Sequence, residues 1–165
     1  MRLAMPFTEI LALALRGAPL PPLVGLLTCD GATVRVDLDL HAIPAPSLAV
    51  RALAAVAPIV HVAATFQTFD AGVAEFDLTV RAGAIPVQRL LKHLSGLLNA
   101  GLRGAHLPAG LVVIEQGSHG APLAVVDLQA AIATQADGVA LTGFAIADGG
   151  VEAVAVVRGF AIRRR

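Results

Sequence analysis

The sequence contains an internal duplication, and no other feature constrains the fold as strongly. AMPFTEIL (Ala4–Leu11) returns 80 residues later as AIPVQRLL (Ala84–Leu91), and LRGAPLP (Leu15–Pro21) returns as LRGAHLP (Leu102–Pro108). The shorter motifs VDL and VAAT recur in the same order, the second as VALT. Ordered self-similarity indicates a repeated structural unit. The sequence therefore predicts two tandem repeats, residues 1–80 and 81–165, related by pseudo-two-fold symmetry.

Each predicted repeat is too small to form a substantial core of its own. Half of a 165-residue chain seldom buries enough apolar surface to be stable alone. We therefore predict a single domain, residues 1–165, in which the two repeats share one core.

The second copy of the repeated segment has the clearer helical pattern. Pro86 suits the first turn of a helix, where a missing N–H leaves no hydrogen bond unmade. Apolar side chains follow at spacings of three and four residues, among them Leu90, Leu94 and Leu97. This spacing predicts an amphipathic helix lying on an apolar surface. The first copy, which begins near Phe7, predicts a shorter helix of the same kind.

Strand patterns follow each predicted helix. Apolar and polar residues alternate from Ala32 to His41, which is typical of an antiparallel strand with one covered face. Each repeat closes with a predicted hairpin, turning at Asp70-Ala71-Gly72 in the first and at Asp148-Gly149-Gly150 in the second. Asp127 is expected to cap a short helix. These patterns predict an α+β fold with mostly antiparallel strands and one principal helix per repeat.

The apolar content of the chain exceeds what a small globular core needs. Hydrophobic residues make up 56% and charged residues 15%, with a mean hydropathy of +0.77, against about 45–50% and 25% in typical soluble proteins. The surplus is expected in an internal cavity, a subunit interface or a contact with a membrane surface. Twelve basic and twelve acidic residues cancel, and Trp and Tyr are absent, which argues against a nucleic-acid partner.

The cellular compartment is predicted from the cysteine content and the N-terminus. Cys29 is the single cysteine, so no intrachain disulfide forms and a reducing compartment is natural. The apolar N-terminus has some features of a secretion signal, but Glu9 interrupts it and the same segment recurs in mid-chain. We expect a cytoplasmic location.

Two apolar surfaces favour self-association. Ala12 and Leu13 occupy the places that Lys92 and His93 have in the second copy, so the first helix has lost its polar face. The strand pattern Val151–Ile162 is apolar on both faces. Because an exposed apolar patch generally marks an interaction site, we predict a homo-oligomer, specifically a dimer.

The candidate polar groups form no recognisable catalytic set. Asp37, Asp39 and His41 share one strand face and are of the types that zinc or manganese accepts, but such spacing is also what a solvent-facing strand presents. His119 lies in a Gly-rich turn near Glu115 with no identifiable nucleophile as a partner. The sequence predicts no catalytic residues, no metal site and no cofactor.

The duplicated unit of helix, LP turn, strand pair and closing hairpin resembles the tubular lipid-binding (TULIP-like) domains. The segments that carry the resemblance are IPVQRLLKHL, LPAGLVVIE, VVDLQAAI and VALTGFAIADGGVEA, with weaker copies in the first repeat. The resemblance implies helices packed on a curved antiparallel sheet and an elongated groove for a lipid or other apolar ligand. The candidates for the lining are large apolar residues on the inward stripes: Leu90, Leu94, Leu97, Phe66 and Phe76. The predicted helices are short for this family, and the secretion signal that many members carry is not expected here.

Two other function classes stay open from the sequence. Each repeat is also similar to the hot-dog fold of acyl-thioester enzymes, in which an acidic residue on the central helix would have to be Glu9, whose copy is Arg89. The third class is a self-associating structural protein that binds no ligand and buries its apolar surplus between subunits.

Overall fold

Antiparallel β-sheet dominates the structure. The computed structural model describes residues 1–15, 19–83, 85–86, 95–96, 108, 110–134 and 136–162. The strands in these ranges are β1 (Arg2–Pro6), β2 (Val24–Asp30), β3 (Thr33–Asp39), β4 (Ile59–Asp70), β5 (Val73–Ala82), β6 (Ile85–Pro86), β7 (Val112–Gln116), β8 (Pro122–Asp127), β9 (Ala136–Ala147) and β10 (Gly150–Ile162).

The described strands form two sheets, and neither sheet belongs to one half of the chain. The larger has the order β2-β3-β4-β5-β8-β7, with β6 also pairing with β5. The smaller has the order β1-β10-β9. All pairings are antiparallel. Strands β7 and β8 thus extend a sheet made by the first half, while β1 joins a sheet made by the second.

The helices of the described residues are short. They are α1 (Phe7–Leu15), α2 (Leu48–Val56) and α3 (Leu128–Ala133), with a 3-10 turn at Leu40–Ala42. Side chains cap two of them, since Ser47 accepts a hydrogen bond from the N–H of Val50 and Asp127 accepts one from Ala130. In the part of the chain that the structure describes, no helix combines the length and the apolar character needed to cross a membrane.

The local predictions for strands, turns and the Asp127 cap are confirmed. The helix start expected at Pro86 is wrong, because Pro86 lies in strand β6. The predicted fold class is also wrong. The structure is mostly β and is not a pair of tandem, pseudo-symmetric α+β repeats, each with a helix packed on its own curved sheet. The halves differ in strand pairing: β4 returns beside β3, whereas β9 leaves β8 and joins the other sheet. The connections differ as well, since α2 has nine residues and α3 has six.

Two apolar clusters lie on the inner face of the larger sheet. At one end α2 packs over the strands, burying Val50, Leu53 and Ala54 against Leu38 and Val60. At the other end β9 contributes Ile146 to a cluster of strand residues: Ala74, Phe76, Leu78 and Ala124. The half-buried side chains of Val62 and Ile114 contact both clusters, so the two are continuous across the sheet.

Candidate functional site: the apolar inner face

The inner face of the larger sheet is apolar from one end to the other. Alternation places Val60, Val62, Ala64 and Phe66 of β4 on this face, because successive strand residues point to opposite sides. From Val60 under α2 to Phe66 beside β9 the strand extends roughly 20 Å. The band between these two ends is the candidate site, and its floor consists of β-branched and small residues: Val36, Val62, Ala64, Val80 and Ile114.

The candidate site is bounded by aromatic rings at the β9 end. Phe66 contacts Phe76 edge-to-face at a centroid distance of 5.8 Å, and it contacts Phe144 of β9 at 5.7 Å. Phe69 completes the group at 6.1 Å from Phe144. A register shift between Phe66 and Thr68 inserts one extra residue, which allows both Phe66 and Phe69 to pack on the inner cluster.

The floor residues are only half-buried, although they face inward. Val36, Val62, Ala64, Val80 and Ile114 all retain partial solvent exposure. Among the described residues, Val60 is the one large side chain less than 2% exposed. Protein interiors are normally close-packed, so this apolar sheet face is less completely covered than an ordinary core.

Two of the five predicted lining residues come together here. Phe66 and Phe76 are directly paired across β4 and β5, and Phe76 is 9% exposed. Leu90, Leu94 and Leu97 lie outside the described residues, so their part in the lining stays a prediction. The sequence analysis missed Phe144 and Ile146, although their alternation along β9 could have indicated that they share a face.

The opposite face of the same sheet has polar side chains along the middle of β3, β4 and β5, and a cross-strand pair lies among them. His61 Nδ1 lies 2.7 Å from Asp37 Oδ1, with 58% of the His61 side chain and 27% of the Asp37 side chain exposed. Asp37 was considered in sequence only with Asp39 and His41 along its own strand. The true neighbour comes from the register of β3 with β4, which pairs Asp37 with His61.

The predicted metal candidates have other roles in the structure. Asp39 accepts a hydrogen bond from the N–H of His41 at 2.9 Å and so caps the 3-10 turn. Across the described ranges, no three His, Cys, Asp or Glu side chains are positioned to hold a metal ion. His119 Nδ1 lies 3.2 Å from Ser118 Oγ in an exposed turn. Neither side chain is shielded from water there. Glu9 is exposed in the first turn of α1.

The pKa of the Cys29 thiol is raised. Partial burial on β2 disfavours the thiolate and is the larger cause, and the negative charge of Asp30 adds to it. The thiol is consequently less nucleophilic at neutral pH than a fully exposed one. Cys29 packs against the inner cluster, so it behaves as a small apolar residue at the margin of the candidate site.

Comparison with protein-family models, with curated proteins and with solved structures returned no match. The resemblance to tubular lipid-binding domains therefore stays a prediction.

Proposed function

We propose that the chain binds a lipid or another apolar ligand and performs no chemistry on it. The observation that supports this proposal is the half-buried inner face of the larger sheet between α2 and β9. Its floor is apolar, and Phe66, Phe76 and Phe144 bound one end of it. An apolar ligand can bind in this band without a charged group of its own and without a charged side chain of the protein.

The energy available from such a site is substantial. Each methylene group transferred from water to an apolar environment contributes about 0.8 kcal/mol. An acyl chain of moderate length can therefore bind well without a polar contact. Among the described residues no polar or charged residue is buried, which is consistent with a ligand recognised by shape and apolarity.

Two neighbouring alanines of β4 make a matched pair for testing the proposal. Ala64 faces the inner cluster, whereas Ala63, also half-buried, faces the polar side of the sheet. Ala64→Leu fills the floor of the site and is expected to lower the affinity for a fluorescent fatty acid by tenfold or more, equivalent to about 1.4 kcal/mol. Ala63→Leu adds the same volume on the opposite face and is expected to leave that affinity unchanged.

The competing explanation is that the inner face is an ordinary core. Overpacking a filled core by Ala64→Leu costs about 1–3 kcal/mol of stability. A wild-type chain that shows no saturable binding of the fatty acid, together with a destabilised Ala64→Leu variant, would refute ligand binding. Melting temperatures measured beside the titrations separate the two outcomes.

Self-association is a second candidate function, and it is favoured by the outer face of the smaller sheet. By register, Ala145 lies beside Glu152, Gly143 beside Val154 and Ala140 beside Val156. Val154 is 37% exposed and Val156 42% exposed, so these apolar side chains lie at the surface. Flat faces of small and β-branched residues can pack at the usual sheet-to-sheet spacing of about 10 Å.

The surface ion pair beside these valines suits a two-fold dimer. Arg2 and Glu152 are 2.7 Å apart at this face and carry opposite charges, so two copies can present each charge to the other. Val156→Lys is expected to shift sedimentation towards monomer, while Val56→Lys, at an exposed valine of α2, leaves it unchanged. A wild-type chain that sediments as monomer at all concentrations would exclude this candidate.

An acyl-thioester enzyme is not favoured by a specific observation, since Glu9 is exposed on a nine-residue helix. A cytoplasmic location remains part of the proposal because Cys29 is the single cysteine and reducing conditions suit it.

A further inference from the structure

The polar outer face of the larger sheet contains a group of donor side chains that ligand binding on the inner face does not involve. On this face two rows of cross-strand neighbours run across β3, β4 and β5. One row is Asp37, His61 and Arg81, and the adjacent row is Arg35, Ala63 and Thr79. Ala63 is the smallest member, and we call the surface around its methyl group, between these neighbours, the Ala63 basin.

The hydrogen bond from Asp37 fixes the orientation of the His61 ring. A carboxylate only accepts hydrogen bonds, so Nδ1 of His61 carries the proton that it donates to Asp37 Oδ1. The two ring nitrogens point in diverging directions, so a ring whose Nδ1 faces β3 presents Nε2 away from β3. Arg81 stands directly across from His61 on that side. With its proton on Nδ1, the ring has an acceptor at Nε2, which can accept a hydrogen bond from a phosphate hydroxyl.

Both arginines beside the Ala63 basin are available for a ligand. Arg35 approaches Asp30 at 3.8 Å, and both side chains are largely exposed, so this pair is weak. None of the ion pairs within the described residues involves Arg81. Directly opposite residues on antiparallel strands have Cβ atoms about 4.5–5.5 Å apart, so Arg81 and His61 can contact one small anion together.

We propose that the Ala63 basin binds the phosphate group of a small molecule through Arg35, Arg81, Thr79 and His61. Arginine donors match phosphate oxygens in bidentate geometry, and the hydroxyl of Thr79 adds a neutral donor. The proposal concerns the face opposite the apolar site and does not depend on it.

The acidic neighbours limit the size of the anion. Asp37 is hydrogen-bonded to His61, and Asp77 lies across from Thr65 at the next row. These two carboxylates equal the two arginines in number. A single phosphate group that contacts the arginines is therefore favoured over a nucleic acid or another polyanion, which would extend to both carboxylates.

Isothermal titration of the full chain with inorganic phosphate tests the proposal. The wild-type chain is expected to show saturable binding, and Arg81→Gln is expected to weaken it roughly tenfold, the effect of losing one charge-assisted contact. Arg51→Gln is the matched control, because Arg51 is an exposed arginine of α2. It should leave the affinity unchanged. Acetate at the same concentration should not compete.

Three results would overturn the phosphate assignment. The first is no saturable phosphate binding to the wild-type chain. The second is an equal loss in Arg81→Gln and Arg51→Gln, which would indicate a general charge effect. The third is equal binding of acetate. Ala63→Leu distinguishes the two sites, because it should abolish phosphate binding while fatty-acid binding on the inner face persists.

Discussion

At the residue scale, the two long hairpins depend on left-handed backbone conformations. Ala71 has φ of 47° and Gly72 has φ of 91°, while Asp148 and Gly149 have φ of 51° and 71°. Two consecutive residues with positive φ define the tight turn that matches the twist of paired strands. Alanine tolerates this region poorly, whereas Asn and Asp adopt it more readily.

Because Ala71 and Asp148 differ in how well they tolerate this conformation, we predict that substitutions at the two positions change stability in opposite directions. Ala71→Asn is expected to stabilise the chain by about 1 kcal/mol, because it removes part of the cost of a left-handed alanine. Asp148→Ala is expected to destabilise it by a similar amount. Urea denaturation measures both changes. If the two substitutions shift the midpoint in the same direction, the turn conformations are not those of the structure.

At the element scale, the sequence predicts individual strands well because alternation is a local property. The apolar alternation of Thr33–Asp39 reports which face is covered, and Asp127 marks the start of α3. The partner of each strand is not a local property. The VDL motif lies within β3 in the first half and at the end of β8 in the second. Even so, β3 pairs with the next strand, β4, whereas β8 pairs with β5 of the first half. Similarity between the two halves therefore predicted individual strands and turns but not their partners, and it did not predict strand β1.

The junction between α3 and β9 explains part of that difference. Gln129 Nε2 donates to the carbonyl of Val139 at 2.9 Å, and its Oε1 accepts from the N–H of Leu141 at 2.8 Å. The side-chain amide thus pairs with the free edge of β9 as a neighbouring strand would. Gly72 lies against the same side chain, where an added Cβ would come 2.6 Å from the Gln129 Cβ.

Replacing Gln129 tests this junction. Gln129→Leu keeps the volume but leaves a partly buried N–H and carbonyl of β9 unpaired, and we expect a loss of about 1–3 kcal/mol. The amide of Leu141 should also exchange its hydrogen faster. Gln67→Leu is the control, because Gln67 is exposed and makes only a 3.5 Å contact. Equal stability of both variants would show that the β9 edge does not need the amide.

At the scale of the whole molecule, the two halves are interleaved. Strand β8 of the second half pairs with β5 of the first, and β10 pairs with β1. Neither half keeps its sheets complete when it is separated from the other. That each half needs the other was predicted from its small size and stays a prediction, which the strand pairings between the halves support.

A truncation tests this interdependence. Residues 81–165 alone would lose the β5 partner of β8 and the β1 partner of β10. We expect this fragment to lack a cooperative thermal transition, because exposed sheet edges and apolar faces replace its native contacts. A monomeric fragment with a sharp transition by circular dichroism would contradict the interleaved arrangement.

The candidate site could be predicted only in part. Composition indicated an apolar surplus. Phe66 and Phe76, which were predicted as lining residues, are in contact in the structure, and their role in lining a site stays a prediction. Phe144 was not predicted with them, because its contact with Phe66 depends on how the two sheets pack. The Asp37–His61 pair was missed for a different reason, since a cross-strand contact follows from register and not from spacing along one strand.

Native mass spectrometry of the chain purified from cells tests the central proposal most directly. An apolar ligand on the inner face predicts a mass above that of the bare 16.8 kDa chain. Organic solvent should release the added mass, and it should be lost in Ala64→Leu but retained in Ala63→Leu. The same spectrum gives the number of subunits. A bare chain mass for the wild type, together with no uptake of added fatty acid, would contradict the proposal.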